Sequence, residues 1–266
     1  MGARTLFGRR VIYADVTEIN DNNIIDVLQK ALFTHLMNQA DINYLYRYYK
    51  GDQPILYRKK DVRPEINNKV VENRANEIVS FKVGYLIGEP VQYVSRKDDK
   101  GIAEAVTRLN DYTLSEDKPS EDAELAEWWH ICGTSYRMVL PDGEADLEED
   151  EAPFEIYTLD PRFAFVVYST ALGNPPIMGV KYVLKDDGVL VFSCYTDDHF
   201  YEVENTWAIR RSEEQYLGIP IIEYPANKSR LGAFEIVLPL LDAINTTESN
   251  RIDGVEQFIQ SLMLFH

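Results

Sequence analysis

Apolar positions recur every three or four residues through most of the first half of the chain, and every second residue through much of the rest. Leu28, Leu32, His35, Gln39, Ile42, Tyr46 and Tyr49 share one face of a predicted helix. Asn20 to Asn23 offer N-caps for it. Lys50-Gly51 offers a stop, with a cation on the dipole and a glycine free to take positive φ. Pro54 blocks a restart, so 52–57 reads as extended. A second helix is predicted from Asn67 or Asn68 to Gly84, with Val71, Ala75, Ile78 and Val79 inward. The corner Gly88-Glu89-Pro90 then leads into a short strand, 91–94. Helices follow over 101–110 and from a Ser120 cap to Gly133, the latter burying Ala123, Ala126, Trp129 and Cys132.

The pattern then turns to alternation. Strand-like runs cover 136–140, 154–158, 164–168, 178–184, 190–195, 200–204 and 206–211, with Asp142-Gly143 and Asp187-Gly188 as turns. That spacing predicts an antiparallel meander or small barrel. From Phe234 the helical period returns for about thirty residues. Ile252, Val255, Ile259 and Leu262 form an apolar stripe in need of a partner, while 245–254 is polar. The fold class expected is α+β: a flexible arm over 1–20, a helical then β-rich domain over 21–230, and a long helix over 231–266. The sequence breaks off inside the apolar run 262–265, which predicts a chain that continues.

Composition adds size and charge. With 266 residues and 45% hydrophobic content the chain supports a substantial core, and its 17 tyrosines suit half-buried packing. Residues 1–100 carry 16 Lys+Arg against 13 Asp+Glu, and the remainder 11 against 31. Such an acidic second part argues against a clamp on nucleic acid phosphates, though not against a wall past which DNA slides. Arg58, Lys59, Lys60 and Arg63 form the densest basic cluster and read as a solvated loop ahead of a contact with nucleic acid or an acidic neighbour. Cys132 and Cys194 are too few for a disulfide framework or structural zinc, which points to a reduced compartment. No apolar run approaches the roughly 20 residues of a membrane span.

Chemistry-bearing patterns fail on inspection. The acidic run from Asp142 to Glu151 lacks EF-hand spacing, with Leu147 where glycine belongs and Pro153 where the bidentate Glu belongs. His35, His130, His199 and His266 show no paired ligand spacing, and no phosphate loop or nucleophile elbow is present. Asp197 and Asp198 beside His199 fit a hairpin tip better than an acid–base pair. No catalytic residue, metal or cofactor is expected.

The run Tyr49-Lys50-Gly51-Asp52-Gln53-Pro54, then Asn67-Asn68-Lys69 with Asn73, then Gly84-Tyr85-Leu86-Ile87-Gly88-Glu89-Pro90, resembles the portal proteins of tailed bacteriophages of the SPP1 type. The likeness resumes at Leu172-Gly173-Asn174, at 218–224, and at Leu241-Asp242-Ala243 with Ser249-Asn250-Arg251. It implies a homo-oligomeric ring, a dodecamer in most of the family, at one capsid vertex of the virion. Double-stranded DNA passes its channel without sequence recognition, and terminase, capsid and head–tail connector are its partners. No membrane is involved, and assembly takes place in the host cytoplasm. It implies a wing for the α+β part and the start of a stem for the final helix. Tyr49, Gly51, Pro54, Asn67, Asn73, Gly84, Tyr85, Gly88 and Pro90 are then framework, and Ile252, Val255, Ile259 and Leu262 are the candidate subunit interface. The alternatives are an acidic globular binding module and a carboxylate-dependent hydrolase using Asp197 and Asp198.

Overall fold

The computed structural model describes residues 8–96, 100–143, 145 and 151–262, with side chains through Ile259. The fold is α+β. Strand β1 (Ile12–Ala14) and helix α1 (Ile24–Tyr49) lead into α2 (Arg74–Ile87), α3 (Lys100–Ser115) and α4 (Lys118–Cys132). Eight strands follow: β2 (Thr134–Pro141), β3 (Phe154–Leu159), β4 (Ala164–Ser169), β5 (Pro176–Leu184), β6 (Leu190–Tyr195), β7 (His199–Glu204), β8 (Ile209–Glu214) and β9 (Ile221–Pro225). Helix α5 (Leu238–Leu262) closes the chain as described.

The meander is an open sheet rather than a barrel. Its order is β1-β4-β5-β6-β7-β8, antiparallel from β4 to β8, and a second sheet runs β3-β2-β9. Strand β1 joins the large sheet parallel to β4, pairing Ile12 with Val167 and Ala14 with Ser169. Residues 8–20 are therefore packed, not a loose arm. Asn38 fixes their entry at two points: its Oδ1 accepts from the Arg10 N–H at 2.9 Å and its Nδ2 donates to the Arg10 carbonyl at 2.8 Å. Arg9 lies buried against Glu235 at 2.6 Å.

Helix α1 serves two cores. Its first half puts Ile24, Val27, Leu28 and Ala31 on the strands, against Phe165, Val167 and Met178. Its second half puts Ile42, Leu45, Tyr48 and Tyr49 among Ala75 and Val79 of α2, Ile131 and Cys132 of α4, and Phe234, Leu238 and Leu241. Tyr48 packs with its tip bonded, donating to Asp242 Oδ1 at 2.9 Å while its ring stacks on Phe234. His35 lies at the junction, 2% exposed, with Nε2 3.1 Å from the Arg162 carbonyl. Burial lowers its pKa to about 4, against the raising effect of that carbonyl. Between pH 6.5 and 4 the unfolded chain thus binds a proton that the folded one refuses, and stability falls with pH. We expect a loss of about 3 kcal/mol over that window, seen as a steeper pH dependence of urea unfolding in the wild type than in His35→Gln. Equal slopes would contradict it.

Some predicted boundaries held and others moved. Gly51 takes φ 94° and Gly133 takes φ 79°, so both helix stops fall where expected. Residues 54–57, expected to be extended, form a 3-10 turn opened by Pro54. Helix α2 begins at Arg74 under an Asn73 cap and passes through Gly84 to Ile87, so neither Asn67 nor Asn68 starts it and Gly84 does not end it. Gly88 is right-handed at φ −64°, and a Cβ there would lie 2.3 Å from the Gly84 carbonyl oxygen. Residues 91–94 make no strand, because a side chain takes their backbone: Asn110 accepts from the Tyr93 N–H and donates to its carbonyl, both at 2.9 Å. Helix α3 runs to Ser115, and α4 begins two residues ahead of Ser120. Strand β9 was not foreseen, nor was β1.

Candidate functional site

Helix α5 has two unlike faces. Asn245, Ser249 and Asp253, four residues apart, are at most 2% exposed, and they point at the stretch 53–73. Asn245 Oδ1 accepts from the Glu72 N–H at 2.8 Å, Ser249 Oγ from Val70 at 3.0 Å, and Asp253 Oδ1 from Asn68 at 2.8 Å. Four residues of helix advance about 6.0 Å and two residues of extended chain about 6.6 Å, so the two ladders keep step. This is why 68–72 stays extended: its alternate N–H groups are committed to α5, some 180 residues away in sequence.

The far end of the ladder is ionic. Asp253 Oδ2 accepts from Arg58 Nη2 at 2.7 Å and Lys60 Nζ at 2.6 Å. Arg58 also donates to Asn250 Oδ1 at 2.8 Å and to Asn67 Oδ1 at 2.9 Å. Two residues of the basic cluster are therefore internal clamps, not a solvated loop, while Lys59 and Arg63 stay exposed. Burial pushes the Asp253 carboxyl up, but the bonds from Lys60, Asn68 and Arg58 outweigh it and hold it well below the usual carboxylate range. The clamp is thus intact throughout neutral and mildly acidic pH, and weakens only as pH falls through that depressed value.

The opposite face is apolar and open. Ile252, Val255 and Ile259 are 42%, 57% and 52% exposed, and Phe258, which the sequence stripe left out, is exposed beside them. Leu262 is the last described helical residue, and its side chain lies outside the described set. The positions 252, 255, 258 and 259 follow three- and four-residue steps, so Phe258 was recoverable from the same period.

The framework residues divide into two groups. Tyr49, Gly51, Pro54, Asn67 and Asn73 gather beneath α5. Asn73 Nδ2 donates to the Tyr49 carbonyl at 2.8 Å, and Asn73 Oδ1 accepts from Gln53 at 3.0 Å, while Gln53 in turn bonds Asn245. Gly84, Tyr85, Gly88 and Pro90 sit at the far end of α2, where Tyr85 is 81% exposed and stacks on exposed Phe81. A buried network escaped sequence reasoning altogether. Glu223 of β9 holds Arg230 at 2.6 and 2.8 Å and accepts from Tyr168 and Thr134 at 2.8 Å each. A lone Glu inside the apolar run 219–224 was its only signal.

Asp197 and Asp198 occupy the exposed β6–β7 turn, with Asp198 3.0 Å from His199 Nδ1. Their bond raises the His199 pKa and lowers that of Asp198, as an open surface pair does. The acidic run after Asp142 lies largely outside the described residues. Among the described residues no His, Cys, Asp and Glu group could hold a metal ion, and no helix is long and apolar enough to cross a membrane. Both cysteines are buried and free.

Over residues 20–265 the chain matches the family of phage portal proteins described as SPP1 Gp6-like, and it belongs to that family. No curated protein matches it.

Proposed function

We propose that this portal protein acts as a structural subunit of a homo-oligomeric ring at the phage capsid vertex, serving DNA packaging and ejection. The family match across 20–265 is the observation that carries this reading. Residues 21–230 would serve as a wing and the helix after 231 as the start of a stem, with terminase, capsid and head–tail connector docking on the assembled ring. Most of the family forms dodecamers, and the ring would pass double-stranded DNA without sequence recognition. Its site of action would be the virion, after assembly in the host cytoplasm.

The outward stripe Ile252, Val255 and Ile259 supports a subunit contact on α5, because exposed apolar side chains in one row favour burial by about 25 cal/mol per Å². The acidic second part of the chain suits a wall that DNA must not grip. Catalysis is not part of this reading. A carboxylate-dependent hydrolase would place its carboxylates in an enclosed cleft, whereas the Asp198 side chain is 70% exposed on a hairpin. Electron microscopy of the full-length protein tests the proposal. Closed rings with a central channel are the expected result, and a monomer at every concentration would overturn it.

A further inference from the structure

A cleft of about 270 Å³ opens between α4, β2 and the irregular stretch after α2, away from both α5 and the framework beneath it. Its walls are apolar on one side, with Ile87, Val91, Leu125 and Trp129. On the other, Ser135 and Arg137 project from the same face of β2, two residues apart. Arg137 is 7% exposed and Ser135 fully buried. Asp122 Oδ1 holds Arg137 Nη1 at 2.6 Å, and Asp122 Oδ2 is held by Lys118. Arg137 Nε and Nη2, the Ser135 hydroxyl and the Trp129 indole N–H are all buried with no partner among the described residues.

Charge and geometry define what the cleft suits. The charged residues of the lining are Lys118, Arg137 and Asp122, two cations against one anion, and an uncompensated buried charge is costly. Nε and Nη2 form one edge of the guanidinium, whose two parallel N–H bonds match the two oxygens of a carboxylate. Arg230 uses that same edge on Glu223 within this protein. The volume is below the usual range of about 300 to 1,000 Å³ for drug-sized ligands, and too small for a nucleotide.

We propose that this cleft binds a carboxylate carried on a short apolar stem, with Arg137 Nε and Nη2 on its oxygens, Ser135 donating beside them, and the stem against Leu125 and Trp129. A free organic acid and an acidic side chain of a second copy of this chain both present that chemistry.

Hexanoate is the probe, followed through the Trp129 indole resonance of the 15N-labelled protein, assigned with Trp129→Phe. Hexanoate is expected to shift it saturably, with half-saturation on the order of 1 mM, and isosteric hexanamide is not. Ser135→Ala, which removes only an unsatisfied hydroxyl and leaves the free protein at least as stable, is expected to weaken binding several-fold, and Arg137→Gln at least about tenfold. A hexanoate shift that is independent of protein concentration identifies a free acid as the ligand. A shift on concentrating the protein alone, which hexanoate then competes away, identifies the second copy. Equal shifts with hexanoate and hexanamide, equal shifts with inorganic phosphate, or unchanged affinity in both folded variants would overturn the proposal.

Discussion

Ile259→Asp is expected to abolish ring formation in the full-length protein while leaving its unfolding midpoint nearly unchanged. The two outcomes separate because Ile259 is already 52% exposed in the isolated chain, so the folded body loses little packing. Surface substitutions of this kind stay within about 0.5 kcal/mol, with a few tenths more for the poorer helix propensity of aspartate. A contact is another matter. Burying an isoleucine contributes about 1.5–3 kcal/mol, and burying an unpaired carboxylate in its place costs several more. In a closed ring that penalty recurs at every interface. Val255→Asp is expected to behave alike, since Val255 is 57% exposed on the same side. Light scattering together with thermal unfolding checks both. Rings of normal size in either variant would remove α5 from the interface, and a large loss of melting temperature would show that the stripe is packed within the subunit.

The second large effect is expected from Asp253→Ala, which should destabilise the body by about 3–5 kcal/mol. The substitution leaves Arg58 and Lys60 without their shared anion and the Asn68 N–H without its acceptor, all within one half-buried pocket. Amide hydrogen exchange supplies the local readout. Protection of Asn68, Val70 and Glu72 should fall by far more than that of β5 and β6, because those three N–H groups donate to the ladder on α5. Asp253→Asn keeps an acceptor but not the charge, and should fall between. Unchanged exchange at Val70 in the alanine variant would show that 68–72 is held by something else. These two substitutions lie six residues apart on one helix and should fail in opposite ways.

How far the sequence revealed this arrangement depended on how local each cause was. The stops at Gly51 and Gly133 were legible because positive φ is a property of one residue, here 94° and 79°. Strands β4 to β7 were legible because alternation repeats within each run and the connecting turns carry their own signals. The start of α2 was misread because its extended lead-in depends on Asn245, Ser249 and Asp253, which no window around Asn67 contains. The expected strand at 91–94 failed likewise: alternating side chains were present, but Asn110 supplies the partner that another strand would have given. Strand β1 has three residues and pairs in parallel with a segment 155 positions away, below what periodicity can register. The apolar stripe of α5 was readable; the reason its other side is polar was not.

That polar side carries a further consequence. An apolar helix face tolerates small rotations, since grease fits grease over a range of angles. A row of bonded side chains does not. Sliding α5 by one residue would turn it by about 100°, swinging Asp253 away from Arg58 and Lys60 and breaking every rung together. A slide of four residues returns the polar side to within about 40° of its setting, but it puts Leu241 or Gln257 on one rung and takes Asp253 away from Arg58 and Lys60. Hydrogen-bond phase, together with the packing of Leu238 and Leu241, therefore fixes the azimuth of α5 and with it the direction in which Ile252, Val255 and Ile259 look.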